Sequence, residues 1–266
     1  MSIQAYLYVA GLIFLLMCYV FFLAQIFKNN SIVDIFWGLG FICIVIYFAA
    51  TSNDFIENKN IVFTKHIINS CIVIWGIRLS LHIFVKNWKQ PEDWRYVNFR
   101  KLWANKNIPQ WLGAFFQVFM VQGLIMFIIA LPIIHANKYF MPVSKLTYFG
   151  LFIWLIGLYF EAVGDYQKSQ FKKNPENKGK ILTTGLWKYT RHPNYFGETL
   201  MWWAIFIMAI DIFQPLISIS NIISPIVLTW LLTKVSGVPM LESKYKGNES
   251  YQQYINNTPS FFPKFW

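Results

Sequence analysis

TTGLWKYTRHPNYFGETLMWW, Thr183–Trp203, is the stretch whose reading decides the fold. Its first half is polar and basic. Its second half opens an apolar run that continues to Ile212. Arg191, His192, Pro193, Asn194, Tyr195 and Glu198 crowd the seam within about two helical turns. Pro193 has a preset φ and no N–H to lose, so the seam predicts a helix starting there. Glu198 then lies roughly one turn in. A helix start offers unpaired N–H groups and partial positive charge, and Lys188, Arg191 and His192 flank it, so a phosphate or carboxylate suits the seam. A basic flank alone is explained by membrane orientation. Orientation does not require Asn194, Gly197 and Glu198 on the entering helix.

The wider composition agrees with a membrane helix at this point. The chain has 266 residues, 56% of them hydrophobic and only 13% charged. Its mean hydropathy is +0.41. That is too apolar for an ordinary soluble domain. Seven apolar runs are expected as spans, at about 5–27, 32–50, 63–85, 112–134, 145–166, 195–213 and 217–236, each near the ~20 residues a helix needs to cross the hydrocarbon core. The fold class is therefore an all-α polytopic integral membrane helix bundle with seven transmembrane helices. MSIQAY lacks the basic start of a signal peptide, so the first run is expected to be a retained span. Cys18, Cys43 and Cys71 each sit inside an apolar run without a metal-type spacing, and read as small apolar residues.

The net charge of +11 sits in the loops between runs, which speaks for orientation and against nucleic acid. Lys86, Lys89, Arg95, Arg100, Lys101 and Lys106 follow the third run. Lys168, Lys172, Lys173, Lys178, Lys180, Lys188 and Arg191 follow the fifth, and Lys244, Lys246 and Lys264 the seventh. The opposite loops hold Lys59, Lys65, Lys138 and Lys145. The N-terminus is expected outside and the C-terminus cytoplasmic. Trp88, Trp94, Trp111, Trp187 and Trp266 suit the interfacial belt.

Ionisable groups within the runs are the exceptions that point to a site, because burying a charge in lipid costs several kcal/mol. They are Asp34, Arg78 with His82 four residues on, Glu161 with Asp165 four residues on, and Glu198. The plainer readings are a helix cap for Asp34, an internal ion pair for Arg78 with Asp34 or Glu161, and a satisfied core or interfacial histidine for His82. Asp211 is expected at the outer, watery end. A cavity facing the cytoplasm, walled by aromatics and rimmed by lysines, would suit a flat hydrophobic substrate and the phosphates of a dinucleotide. GLGF at Gly38–Phe41 does not complete a GxGxxG, so the site would not be a Rossmann one. No HExxH, Ser-His-Asp order or phosphate-binding P-loop is present. Spacing alone does not separate an enzyme from a transporter.

EAVGDYQKSQFKKNPENKGKILTTGLWKYTRHPNYFGETLMWW, together with SIVDIFWGLG, IWGIRLSLH, EDWRY, KVSGVPMLE and YQQYINNTPSFFP, resembles the DUF1295 proteins of the steroid 5-alpha-reductase superfamily. The likeness runs from Ser31 onward within a single domain, 1–266, and is most specific over 145–266. It implies a monomeric, multi-pass reductase of a bacterial inner membrane, in contact with lipid and holding NADPH at a site facing the cytoplasm. Hydride would pass to the conjugated C=C of a lipophilic enone such as a 3-oxo-Δ4 steroid. By position, Asn194 and Glu198 match residues contacting the nicotinamide half, Asp165 a cofactor-binding aspartate and Lys172 a basic residue on the phosphate side. Glu161 stands where the steroid reductases have an asparagine. Arg191, His192, Tyr195, Trp202, Arg78, Arg95 and Tyr96 join the cofactor set. Asp34 and Trp75 stand where the family's catalytic Glu and Tyr hold the substrate carbonyl. In an apolar cavity Asp34 would stay protonated and act as donor. The rival reading is a membrane methyltransferase using S-adenosylmethionine, since such enzymes share RHPxY before a membrane helix. A transporter is the third, and lacks the repeat halves it would be expected to show.

Overall fold

The computed structural model describes residues 3–52, 64–139, 141–211 and 215–265. Lys59, Ile212 and Trp266 lie outside them. The described residues are all-helical, with 79% of them in helix. The chain divides into two compact units, Met1–Pro142 and Val143–Trp266.

In the first unit, α1 (Gln4–Phe27), α2 (Ile32–Thr51) and α3 (Thr64–Asn87) are long apolar helices. A short polar helix, α4 (Trp94–Asn105), follows. Then α5 (Gln110–Gly113) runs through a π-helical stretch, Ala114–Met120, into α6 (Val121–Ile129) and α7 (Leu131–Lys138). One face of α1 buries Val9, Ile13, Met17, Val20 and Ala24, spaced three and four apart. Met17 and Ile13 lie over Gly123 of α6, where a Cβ would press on Met17. The other face leaves Leu7, Phe14, Leu15 and Phe22 exposed, as a helix against lipid does. Gly38 and Gly76 let α2 and α3 touch backbone to backbone: a Cβ on Gly38 would stand 2.5 Å from the Gly76 carbonyl oxygen.

The second unit is built on α8 (Lys145–Lys173) and α9 (Pro193–Met208). Ser144 and Thr147 close a reciprocal capping box at the start of α8. Pro193 opens α9, as the seam predicts. The two helices run antiparallel, and glycines hold them close. Gly150 faces Met208 and Ala204, Gly157 faces Gly197 and Met201, and Gly164 faces Pro193 and Asn194. Their seven-residue spacing keeps one side of α8 smooth over about two turns at a time, so close packing can substitute for hydrophobic drive within lipid. Next come α10 (Pro215–Ser220), α11 (Ile223–Trp230), a π-helical turn at Leu231–Val235, α12 (Val238–Glu242) and α13 (Glu249–Asn257). Trp203 of α9 donates from Nε1 to Thr229 of α11 at 3.1 Å.

Among the described residues, six helical stretches are long and apolar enough to cross a membrane: Gln4–Phe27, Ile32–Thr51, Thr64–Asn87, Gln110–Ile129, Lys145–Lys173 and Pro215–Tyr245. The remaining expected span corresponds to α9. Its 16 residues extend roughly 24 Å at 1.5 Å each, short of a ~30 Å hydrocarbon core. Met201, Trp202, Ala204, Ile205 and Met208 are buried, so much of its apolar surface faces protein.

Candidate functional site

At the polar end of α8 the sequence changes from apolar to GDYQKSQFKKN, and the second unit opens into a cleft of about 500 Å³. Six lysines line it: Lys168, Lys172, Lys173, Lys178, Lys180 and Lys244. No Asp or Glu stands among its lining residues. Phe171, Trp187, Tyr245, Tyr251 and Tyr254 supply aromatic wall. Tyr245 and Tyr251 stack at 4.3 Å with 14° between planes. Lys168 holds its ammonium 4.8 Å over the Trp187 ring. Trp187 is fixed in turn by its Nε1–H, which donates to the Gly164 carbonyl at 3.1 Å.

Arg191 and His192 form the floor, and both are buried. Glu242 ties them together. It accepts from Arg191 Nε at 2.9 Å and Nη2 at 3.3 Å, and lies 3.0 Å from His192 Nε2. Arg191 Nη1 also donates to the carbonyls of Ile255 and Thr258. The guanidinium therefore braces the fold as well as charging the cleft. Beside a carboxylate, His192 Nε2 carries the proton and donates; Nδ1 is then an acceptor, buried and without a partner among the described residues. Tyr195 stacks on the imidazole, ring centres 5.5 Å apart and 10° from parallel. Burial pushes His192 below the ordinary imidazole value, against the opposing pull of Glu242.

One turn along α8 and α9 from the cleft lies a carboxylate-rich face between the two helices. Asn194 donates from Nδ2 to Asp165 at 3.1 Å. Its Oδ1 is buried and finds no partner among the described residues. Glu161, 2% exposed, precedes Asp165 by one turn of α8, and Glu198 follows Asn194 by one turn of α9. Trp202 is buried one turn beyond Glu198. Of the residues carried over from the resemblance, the second unit thus gathers Lys172, Arg191 and His192 at the cleft. It places Glu161, Asp165, Asn194 and Glu198 along the α8–α9 seam below it. Lys188, grouped with Arg191 in the sequence, lines a different cleft.

The remaining candidates belong to the first unit. Asp34 receives Arg95 Nη2 at 2.6 Å on one oxygen and the Tyr96 hydroxyl at 2.6 Å on the other. Gln122 donates to that hydroxyl at 3.2 Å. Asp93 caps α4 and also accepts from Arg95 Nε at 2.9 Å. Burial works against the Arg95 charge, but Asp34, Tyr96 and Asp93 more than offset it and its pKa moves up. Burial and Asp34 hold the Tyr96 phenol well above its usual value. The apolar surroundings expected of Asp34 are replaced by this ion pair, in which the carboxyl accepts on both oxygens. Trp75 is buried against Phe41 at 5.6 Å between ring centres, and Arg78 follows it by three residues on α3.

Residues 20–258 match DUF1295, a family described as a protein of unknown function. The chain belongs to the DUF1295 family. A segment of 51 residues is 47% identical to the probable O-methyltransferase ustE of Ustilaginoidea virens. That segment is 19% of this chain and 18% of the relative, so the similarity is local. No solved structure matches this DUF1295 chain.

Glu242, Gln122, Tyr251 and Tyr254 were not singled out in the sequence. Glu242 carried a signal, as the acid that ends KVSGVPMLE after a long apolar run. Tyr251 and Tyr254 stand in YQQYINNTPSFFP, and Gln122 carried no signal.

Proposed function

We propose that this DUF1295 protein is a membrane oxidoreductase that uses NADPH to reduce the conjugated C=C of a lipophilic enone. The observation that carries the reading is the charge of the cleft: six lysines and no acid among its lining residues. NADPH is a polyanion, with a pyrophosphate and a further phosphate. S-adenosylmethionine carries a sulfonium and an ammonium against one carboxylate. A cleft of uniform positive sign attracts the first and repels the second.

The chain's own groups fit a dinucleotide. Lys172 and its neighbours are point charges for phosphates. Tyr245, exposed and stacked on Tyr251, offers a flat face to a base. The orphaned Asn194 Oδ1, beside Asp165, is an acceptor placed for an amide N–H such as that of a nicotinamide carboxamide. The bound cofactor would supply hydride, and the protein's part is to orient it, exclude water and balance charge. Asp34 in this reading anchors Arg95 and Tyr96 within the first unit. The lysine-rich end faces the cytoplasm of a bacterium under this proposal, where NADPH is available.

The methyltransferase reading keeps one observation in its favour, the local likeness to a probable O-methyltransferase. Titration of the purified, detergent-solubilised protein separates the two. NADPH is expected to bind and quench tryptophan emission, with S-adenosylmethionine inert. Binding of S-adenosylmethionine with no response to NADPH would overturn the proposal.

A further inference from the structure

Residues 258–265 do work that the basic cleft does not explain. The segment folds back along Tyr189–Arg191: Arg191 N–H donates to Pro259 at 2.9 Å, Thr190 Oγ1 to the Phe261 carbonyl at 2.9 Å, and Lys264 N–H to Tyr189 at 2.9 Å. Beside it opens a second cleft of about 580 Å³. Lys188 and Lys264 line it with Ser250, Gln253 and Asn257, and no acid stands among its lining residues. Tyr254 lines both clefts and forms the wall between them.

Two aromatic rings give this cleft its setting. Phe262 is 74% exposed and Phe265 is 61% exposed, on either side of Lys264. Phe262 lies 6.2 Å from Phe196, in the first turn of α9. Phe262 thus stands level with the point where α9 turns apolar, and Phe265 packs on Tyr189 just before it. Bare phenylalanines flanking a lysine at that level suit the boundary between headgroups and acyl chains. Basic residues that merely orient a helix need no cleft furnished with amides and a hydroxyl.

We infer that this face binds the headgroup of an anionic phospholipid. Lys188 and Lys264 take its phosphate, the Ser250, Gln253 and Asn257 side chains take headgroup oxygens, and Phe262 and Phe265 rest in the acyl layer. Two lysines with no lining carboxylate give the cleft a positive sign, which favours a headgroup of net negative charge over a zwitterionic one. The inference is independent of the reductase reading, since it uses neither the cofactor nor the residues of the first cleft's floor.

Native mass spectrometry of the full chain, released from nanodiscs mixing phosphatidylglycerol and phosphatidylcholine, tests it. The wild type is expected to retain phosphatidylglycerol selectively. Lys188→Gln with Lys264→Gln should weaken retention on the order of thirtyfold, from the loss of two interfacial lysines, and the double arginine variant should restore it. The glutamine variant's thermal transition in lipid-free detergent should match wild type, which separates lipid loss from misfolding. Phosphatidylcholine held equally well, or phosphatidylglycerol held unchanged by the glutamine variant, would overturn the inference. Displacement by soluble glycerol phosphate would assign the site to a free phosphate ester and overturn the lipid assignment.

Discussion

Gly197→Ala is the sharpest test of how α8 and α9 create the site. A Cβ there would stand 2.5 Å from the Glu161 amide nitrogen, and closer still to the Gly157 carbonyl oxygen. Both obstacles are backbone, so no side chain can swing aside. Carbon and oxygen rest at about 3.3 Å or more, so the helices must part by roughly 1 Å at this level. Overpacking of this kind costs about 1–3 kcal/mol, and a gap of that width forfeits a quarter to a half of the neighbouring dispersion contacts. Alanine's better helix propensity returns about 1 kcal/mol. Because both obstacles are backbone, the upper end of that range applies, and the net loss is about 2 kcal/mol. In detergent, a melt followed by tryptophan fluorescence should fall by on the order of 5 °C. Gly11→Ala is the control, because its Cβ meets nothing within 4 Å; its melt should hold or rise slightly. If the two variants melt alike, close backbone approach does not hold this pair together. Asn194 and Asp165 sit one turn from the clash, so NADPH affinity should fall in the same variant.

The remaining predictions concern the charged groups. Lys172→Glu with Lys178→Glu should weaken NADPH binding at least a hundredfold by titration, since each lost charge-assisted contact is worth about 1.5–3 kcal/mol; unchanged affinity would move the cofactor elsewhere. Glu242→Gln leaves the buried Arg191 guanidinium without its counter-charge and should cost about 3 kcal/mol, read as a lower melting temperature, whereas a variant as stable as wild type would show that the Ile255 and Thr258 carbonyls suffice. The lowered pKa of His192 means that the unfolded chain takes up its proton first as pH falls. Stability from this group is therefore complete above about pH 6.5 and drains away as pH drops toward the lower folded value; His192→Gln should flatten the melting temperature's pH dependence over that window. Asp34→Ala removes the acceptor shared by Arg95 and Tyr96 and should lower the melting temperature; an unchanged melt would show that Asp93 and Gln122 hold the pair without it.

Much of this molecule can be read from local pattern. The start of α9 at Pro193 follows from proline's geometry, and the apolar runs mark the long helices. The length of α9 does not follow, because an apolar run looks the same whether it faces lipid or the next helix. Gly150, Gly157, Gly164 and Gly197 each look like ordinary membrane-helix glycines; only the pairing of α8 with α9 gives them a purpose. Arg191 and Lys172 were legible as basic residues beside a helix start. The ion pair at Asp34 was not, because Arg95 and Tyr96 lie 61 and 62 residues away and nothing local records the meeting. Glu242 was hidden for the same reason, 51 residues from Arg191.

The knot around Arg191 also has an order of assembly. Its carboxylate and two carbonyls arrive 51, 64 and 67 residues after the arginine itself. During synthesis α8 and α9 can therefore pair while the guanidinium is still hydrated. Only when the chain reaches Thr258 can the basic loop be drawn down and the last water expelled. The cleft thus takes shape only after its helices are made, and a nascent chain stalled before that point would carry α8 and α9 but no pocket.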